Sequence, residues 1–265
     1  MPITIASKRQ HHTKAVLASV MLILLAPLAA CGDTQQEAAI DPGSQPSATA
    51  IKIAASIPER IEYLLSIDDN ATYPMSEAQK EILRRAVENG GTISKADYDR
   101  AWSNYQQCMV NKGYTTPQVP VYENGLRSAH MYPIDTGRTE AEMDKLAHDD
   151  SQCRSQEYLI VDESYRDAIG NPDLYAEQSV AITDCLRREK LVPASYTARQ
   201  FEEEQAAYRE VSARNFTTDR YDETGEAASK FSFDIHDPKS VTCFVSNGND
   251  TGQLGEQFTG WQPFK

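Results

Sequence analysis

The chain has 265 residues, of which 26 are Lys or Arg and 39 are Asp or Glu, for a formal net charge of −13. That balance removes the electrostatic basis for binding nucleic acid or an anionic membrane surface. It suits plain solubility, a cationic partner or divalent ions.

At the N-terminus, Lys8, Arg9 and Lys14 precede sixteen mostly apolar residues, Ala15 to Ala30, and no acid occurs before Asp33. A cationic start, an apolar core and small exit residues make residues 1–30 a secretory signal peptide. The apolar run is shorter than the ~20 residues of a membrane-spanning helix, and Pro27 breaks it. It ends in Leu28-Ala29-Ala30-Cys31, which resembles the lipobox of bacterial lipoprotein precursors. The resemblance implies cleavage before Cys31, lipid such as palmitate on its sulfur, and a cell-membrane protein on the extracytoplasmic face. Without residues 1–30 the chain keeps 23 basic against 39 acidic residues, a net −16, because the three charges removed are all positive. Residues 31–55 read as the lipidated flexible linker. From Gly32 to Ala50 the only large apolar residue is Ile40, too little burial to offset the entropy of ordering. By random-coil scaling this stretch spans about 25 Å.

Residues 56–247 carry the helical pattern. Pro58, with Ile57, Ile61, Leu64 and Leu65 at helix spacing, opens the first helix, and Asp68-Asp69-Asn70 closes it. Ser76 to Gln79 has the form of a capping box ahead of Ile82, Leu83, Ala86 and Val87, and Gly90-Gly91 ends that helix. Ser94 caps a third helix with one apolar face, Tyr98, Ala101, Trp102, Tyr105, Cys108 and Met109, ended by Gly113. The turn before it resembles the second half of a calcium-binding EF-hand loop. Its first and fifth ligand positions would be Ala86 and Gly90, which offer no side-chain oxygen, so a capped helix–turn–helix is the better reading.

One β signal follows. Val119 to Glu123, Asn124-Gly125 and Leu126 to Tyr132 predict a small hairpin with a type I′ turn, its first strand kept to an edge by Pro120. Thr139 and Glu142 form a capping box for a long helix running through Leu146 and Cys153 as far as Tyr158. Asn171-Pro172 then reads as N-cap and first residue of a helix holding Leu174, Ala181, Ile182, Cys185 and Leu186. A polar helix spans Thr197 to Arg214, and Asp237-Pro238 opens a short one with Val241, Cys243 and Phe244. Residues 248–265 are Gly-rich and read as a flexible tail that frays unless Phe258 and Trp261 dock.

Besides Cys31 there are four cysteines, Cys108, Cys153, Cys185 and Cys243, an even number suited to two disulfides in an oxidising compartment. Of the three connectivities, Cys108 with Cys153 and Cys185 with Cys243 needs the least entangled layout; crossed and nested pairings stay open. The pattern Tyr105-x-x-Cys108-Met109-x-x-x-Gly113-Tyr114 is similar to small disulfide-bearing envelope lipoproteins of high-GC Gram-positive bacteria, over residues 76–245. That resemblance brings no activity with it.

Motifs for serine nucleophiles, zinc hydrolysis, phosphate cradling and dithiol chemistry are absent from the sequence. Three histidines remain after residue 30: His130, His148 and His236. In His148-Asp149-Asp150, consecutive helical residues fan out by about 100° each, which predicts a solvated face rather than a metal site. Neither a catalytic residue, a metal ligand nor a cofactor is therefore expected. The reading is a mainly α-helical, disulfide-stapled domain on a disordered tether. Its expected role is that of a non-enzymatic interaction or ligand-binding module of the cell envelope, with an envelope protein or glycan as partner. The alternative is a secreted hydrolase with an acidic, aromatic-lined cleft. Tyr98, Trp102, Tyr105, Tyr114, Tyr122 and Tyr132 discriminate: packed inward they are core, and gathered in a cleft they would form a sugar or peptide platform.

Overall fold

The computed structural model describes residues 50–128, 137–217, 225–249 and 261–264. Cys31, His130, Tyr132 and Phe258, and with them the signal peptide and most of the linker, lie outside the described residues. The described chain is mainly helical, with two disulfides. Its helices are α1 Ile57–Ile67, α2 Glu77–Glu88, α3 Lys95–Asn111, α4 Glu140–Glu157, α5 Leu159–Gly170, α6 Gln178–Arg188, α7 Ala198–Thr217 and α8 Pro238–Ser246.

The caps explain most of the starts. Ser56, Ser76, Ser94, Thr139 and Asp237 each accept a backbone N–H of the first turn, and Thr139 with Glu142 completes a reciprocal capping box. At α2 the box is not reciprocal, because Gln79 is used elsewhere. Its side chain is fully buried, donates to the carbonyls of Ser155 (2.8 Å) and Gln156 (2.7 Å), and accepts from the N–H groups of Ile160 (3.0 Å) and Val161 (3.3 Å). One amide thus satisfies four backbone groups at a break. The helix expected from Thr139 as far as Tyr158 is α4, and a break at Tyr158 (φ −143, ψ −20) separates it from α5, which periodicity did not single out.

Two apolar clusters fill the interior. The larger is built on α1 to α5, with Tyr98, Trp102, Tyr105 and Met109 of α3 at its centre. The smaller gathers Ile182, Leu186, Phe201 and Phe244 from α6, α7 and α8. Helix α8 serves both: Val241 and Val245 enter the first cluster, Cys243 and Phe244 the second. Its approach to α5 is close enough that a Cβ on Gly170 would overlap Ser246 Oγ. Each cluster holds one disulfide, Cys108–Cys153 (Cα–Cα 5.8 Å) and Cys185–Cys243 (5.6 Å), the two pairs favoured by chain order. Loops of 45 and 58 residues are closed, each worth about 4 kcal/mol in the chain-entropy model.

Three expectations need correction. The hairpin shrinks to a single antiparallel bridge, Val121–Arg127, and no strand forms among the described residues. Its turn is not type I′. The Gly125 N–H donates to Tyr122 O (2.8 Å), which puts Glu123 and Asn124 at the centre and Gly125 (φ +82) after them. Asn124 stays out of the left-handed region because its side chain accepts from the Leu126 N–H at 2.9 Å, an Asx turn. Asn171-Pro172 does not start a helix either. Asn171 exchanges two hydrogen bonds with the Tyr175 backbone (3.0 and 2.9 Å), closing a loop in which Leu174 takes φ +55, and α6 begins only at Gln178. In the tail, Trp261 is buried, its indole N–H donates to Thr115 Oγ1 (2.8 Å), and Phe264 packs edge-on against Tyr114.

Candidate functional site

Five of the six aromatic side chains singled out in the sequence lie within the described residues, and all five are buried. Trp102 stacks on Tyr158 (3.8 Å between centroids) and Tyr98 on Tyr165 (4.1 Å), so the set is core rather than a binding platform. The tyrosine hydroxyls, at buried positions, find acids. Tyr98 donates to Asp162 Oδ1 (2.7 Å), whose Oδ2 accepts from Arg166 one turn on (2.7 Å). Tyr105 donates to Asp150 Oδ1 (2.7 Å), with Arg154 on Oδ2 (2.6 Å). Tyr114 donates to Asp149 Oδ2 (2.8 Å), which also accepts from Lys145 Nζ (2.5 Å), while Lys112 Nζ reaches Oδ1 (3.0 Å).

Asp149 and Asp150 are therefore buried and paired, which overturns the solvated-face reading of His148-Asp149-Asp150. The reason is the seam itself. Residues on α4 that face α3 and the turn after it meet Tyr105 and Tyr114, whose hydroxyls need an acceptor once buried. His148 is exposed and meets Tyr73 Oη through Nδ1 (3.0 Å), away from the two acids. Among the described residues no group of three or more His, Cys, Asp or Glu is placed to hold a metal ion.

A sizeable cleft that gathers charge lies elsewhere, among α1, α5, the α5–α6 loop and the end of α8. Its volume is ≈ 450 Å³, and Arg60, Glu163, Asp167, Tyr175, Gln178 and Asn247 are among its lining residues, as are the apolar Ile53 and Leu159. The loop that failed to become a helix builds its rim. Ile53 N–H donates to Leu174 O (2.9 Å) and Ala176 N–H to Ile51 O (2.8 Å), and Lys52 Nζ sits 2.7 Å from Asp173 and 5.4 Å above the Tyr175 ring. These pairings hold Ile53 and Tyr175 at the cleft.

Asp167 is the unusual group. It is only 9% exposed, and its Oδ2 makes no hydrogen bond of good geometry. The same oxygen lies 2.8 Å from Arg60 Nη1, so the contact is an ion pair without hydrogen-bond alignment. Arg60 also pairs with Glu163, which stands one turn before Asp167 on α5. Burial pushes the Asp167 carboxyl up to about 6; Arg60 pulls it down, and Glu163 pushes it up again. Arg166, the other cation on this wall, is committed to Asp162, Val245 O (2.8 Å) and Arg127 O. The acids of the cleft all come from α5 and stand on one wall. Among the described residues lining this cleft, no two carboxylates come from opposite walls, the arrangement an acid–base hydrolase needs.

Glu163 and Asp167 escape the sequence reading because residues 159–170 are not predicted there as a helix, and Arg60 because its partners lie on that helix. The signal was there. Val161, Ser164, Ala168 and Ile169 recur at helix spacing, with Glu163 and Asp167 four apart on a neighbouring stripe.

Comparison with protein-family models, curated proteins and solved structures finds no match. No helix among the described residues is long and apolar enough to cross a membrane.

Proposed function

We propose that this chain is a membrane-anchored extracytoplasmic lipoprotein, lipidated on Cys31, whose helical body is a non-enzymatic ligand-binding module of the cell envelope. The observation that carries the reading is the N-terminal order: three cations, an apolar run, then Leu28-Ala29-Ala30-Cys31. The pairing of the other four cysteines into two bridges supports it, since such bridges persist in oxidising compartments and leave Cys31 as the odd thiol. The cleft is consistent with a binding role: it is concave and lined by apolar residues with a few polar and charged groups.

Lipid at Cys31 would stabilise membrane attachment by ~0.8 kcal/mol per buried CH₂, and two or more chains make it durable. Metabolic labelling with an alkyne fatty acid tests the anchor. Label should enter the wild-type chain and be absent from Cys31→Ala. A wild-type chain that takes up no label contradicts the proposal.

A further inference from the structure

Arg154, Arg166, Arg188 and Arg199 each pair with an acid four residues away on their own helix, at 2.6, 2.7, 3.0 and 2.9 Å. Arg209 on α7 does not. Gln205 and Ala213 stand four residues to either side of it, and Ala206 and Ser212 three, so no acid is in reach along the helix. Glu204, the acid beside Gln205, is taken by the Tyr196 hydroxyl (2.6 Å) and the Ser232 N–H (3.2 Å). Among the described residues, neither Arg209 nor Gln205 has a side-chain hydrogen bond or ion pair.

Both side chains line a pocket of ≈ 150 Å³ between α7, α8 and the segment from Phe231 to Ile235. Its apolar walls are Tyr208, Phe231, Ile235 and Phe244. The Phe231 ring lies 5.6 Å from that of Tyr208 and 6.0 Å from that of Phe244. Ile235 and Phe244 are buried and Arg209 is exposed, which puts the apolar groups on the floor and the guanidinium at the mouth. Phe201, one turn before Gln205, packs 5.9 Å from Phe244. The α7 stripe that is apolar at Phe201 therefore turns polar at residues 205 and 209, where the pocket opens.

We infer that this pocket binds a small aromatic carboxylate, with the ring among Tyr208, Phe231 and Phe244 and the carboxylate on Arg209. The inference rests on the binding-module reading above, names a ligand class, and places it here rather than in the cleft beside α1. An apolar cavity of about 150 Å³ accommodates one benzene ring. Three of the four apolar walls are aromatic, which favours a ring over an alkyl chain. A guanidinium matches a carboxylate with two parallel N–H donors, and the Gln205 amide adds a neutral one. Arg209 is the one charged residue among those lining the pocket. In a chain of formal net charge −13, that makes the pocket a local site for an anion.

The test is calorimetry and methyl NMR on the full-length mature chain in phosphatidylcholine nanodiscs, titrated with sodium phenylacetate, neutral phenylacetamide and sodium acetate. Millimolar phenylacetate should shift the Ile235 δ1-methyl resonance and leave that of Ile53, in the other cleft, in place. Phenylacetamide should bind at least about tenfold more weakly, since it lacks the charge-assisted hydrogen bonds, and acetate, without a ring, should not bind. Arg209→Gln should weaken phenylacetate to the level of phenylacetamide. Should that variant fail to fold, the comparison of phenylacetate with phenylacetamide on the wild type carries the same test. No Ile235 shift with phenylacetate, equal affinity for phenylacetamide, or full phenylacetate affinity in folded Arg209→Gln overturns the inference. A shift at Ile53 alone overturns it too, while leaving the binding-module reading in place. The intact mass of the same sample reports lipid on Cys31 independently, so failure of the anchor and failure of the pocket are told apart.

Discussion

Asp149 and Asp167 are both buried aspartates on helices of the same layer, 7% and 9% exposed, yet they behave as opposites. Burial alone would raise both. At Asp149 the hydrogen bonds of Lys145, Lys112 and Tyr114 outweigh that and hold the carboxyl down at about 2. At Asp167 the single shared cation, Arg60, does not, and the carboxyl stands at about 6. Surface exposure is similar, but Asp167 lies deeper and has fewer donors, and both differences push its carboxyl up. A carboxylate with three donors is a fastener, while a deeper one with a single shared cation carries an unfavourable charge.

The largest expected effect comes from removing the fastener. Asp149→Ala strips Lys112, Lys145 and Tyr114 of their shared partner and should lower stability by roughly 3–4 kcal/mol, as breaking a buried pair does. Asp167→Asn should instead raise stability at pH 7, by up to about 2–3 kcal/mol, because it removes a poorly solvated charge. Urea unfolding of both variants measures this; equal losses would erase the contrast.

The next effect is in pH. Asp167 has a folded value above its ordinary 3.8, so the folded state binds the extra proton between about 4 and 6. Its contribution to stability is complete below about pH 4 and lost as the pH rises to about 6, a change of about 2–3 kcal/mol. Asp149 works the other way: its contribution is present above 3.8 and lost as the pH falls towards about 2. Unfolding of wild type and Asp167→Asn at pH 4, 5 and 7 should converge at low pH, where both side chains are neutral, and separate at high pH, with Asp167→Asn the more stable at pH 7.

Smaller effects refine the comparison. Tyr114→Phe keeps the ring against Phe264 but removes one donor, so it should cost about 1–2 kcal/mol and raise the Asp149 midpoint. Glu163→Gln takes away a neighbouring negative charge and frees Arg60 for Asp167, which should bring the Asp167 midpoint down with under about 1 kcal/mol change in stability. A midpoint that stays in place would assign the Asp167 shift to burial alone.

The fastener was closer to legible in the sequence than the cleft. The α3 face from Tyr98 to Met109 and the Thr139–Glu142 cap locate the two helices that carry the seam, and the cysteine count with chain order locates the bridge between them. What periodicity could not supply was the register that buries Asp149 beneath Tyr114. The cleft depends on non-local facts. Gln79, eighty residues away, interrupts the helix at Tyr158, and the Asn171–Tyr175 bonds turn a helix start into a loop. Local capping preference pointed the wrong way at Asn171 because its side chain could close a loop with the residue four ahead instead. The same competition replaced the type I′ turn at Asn124, where the Leu126 N–H claims the side chain.

The most direct test of the contrast is a side-chain carboxyl ¹³C NMR titration of Asp149 and Asp167 in the same sample. A midpoint near 6 for Asp167 and one well below 3.8 for Asp149 is the expected result. An Asp167 midpoint at the ordinary aspartate value of 3.8 or below would mean that Asp167 is as well supplied with donors as Asp149 and would contradict the account.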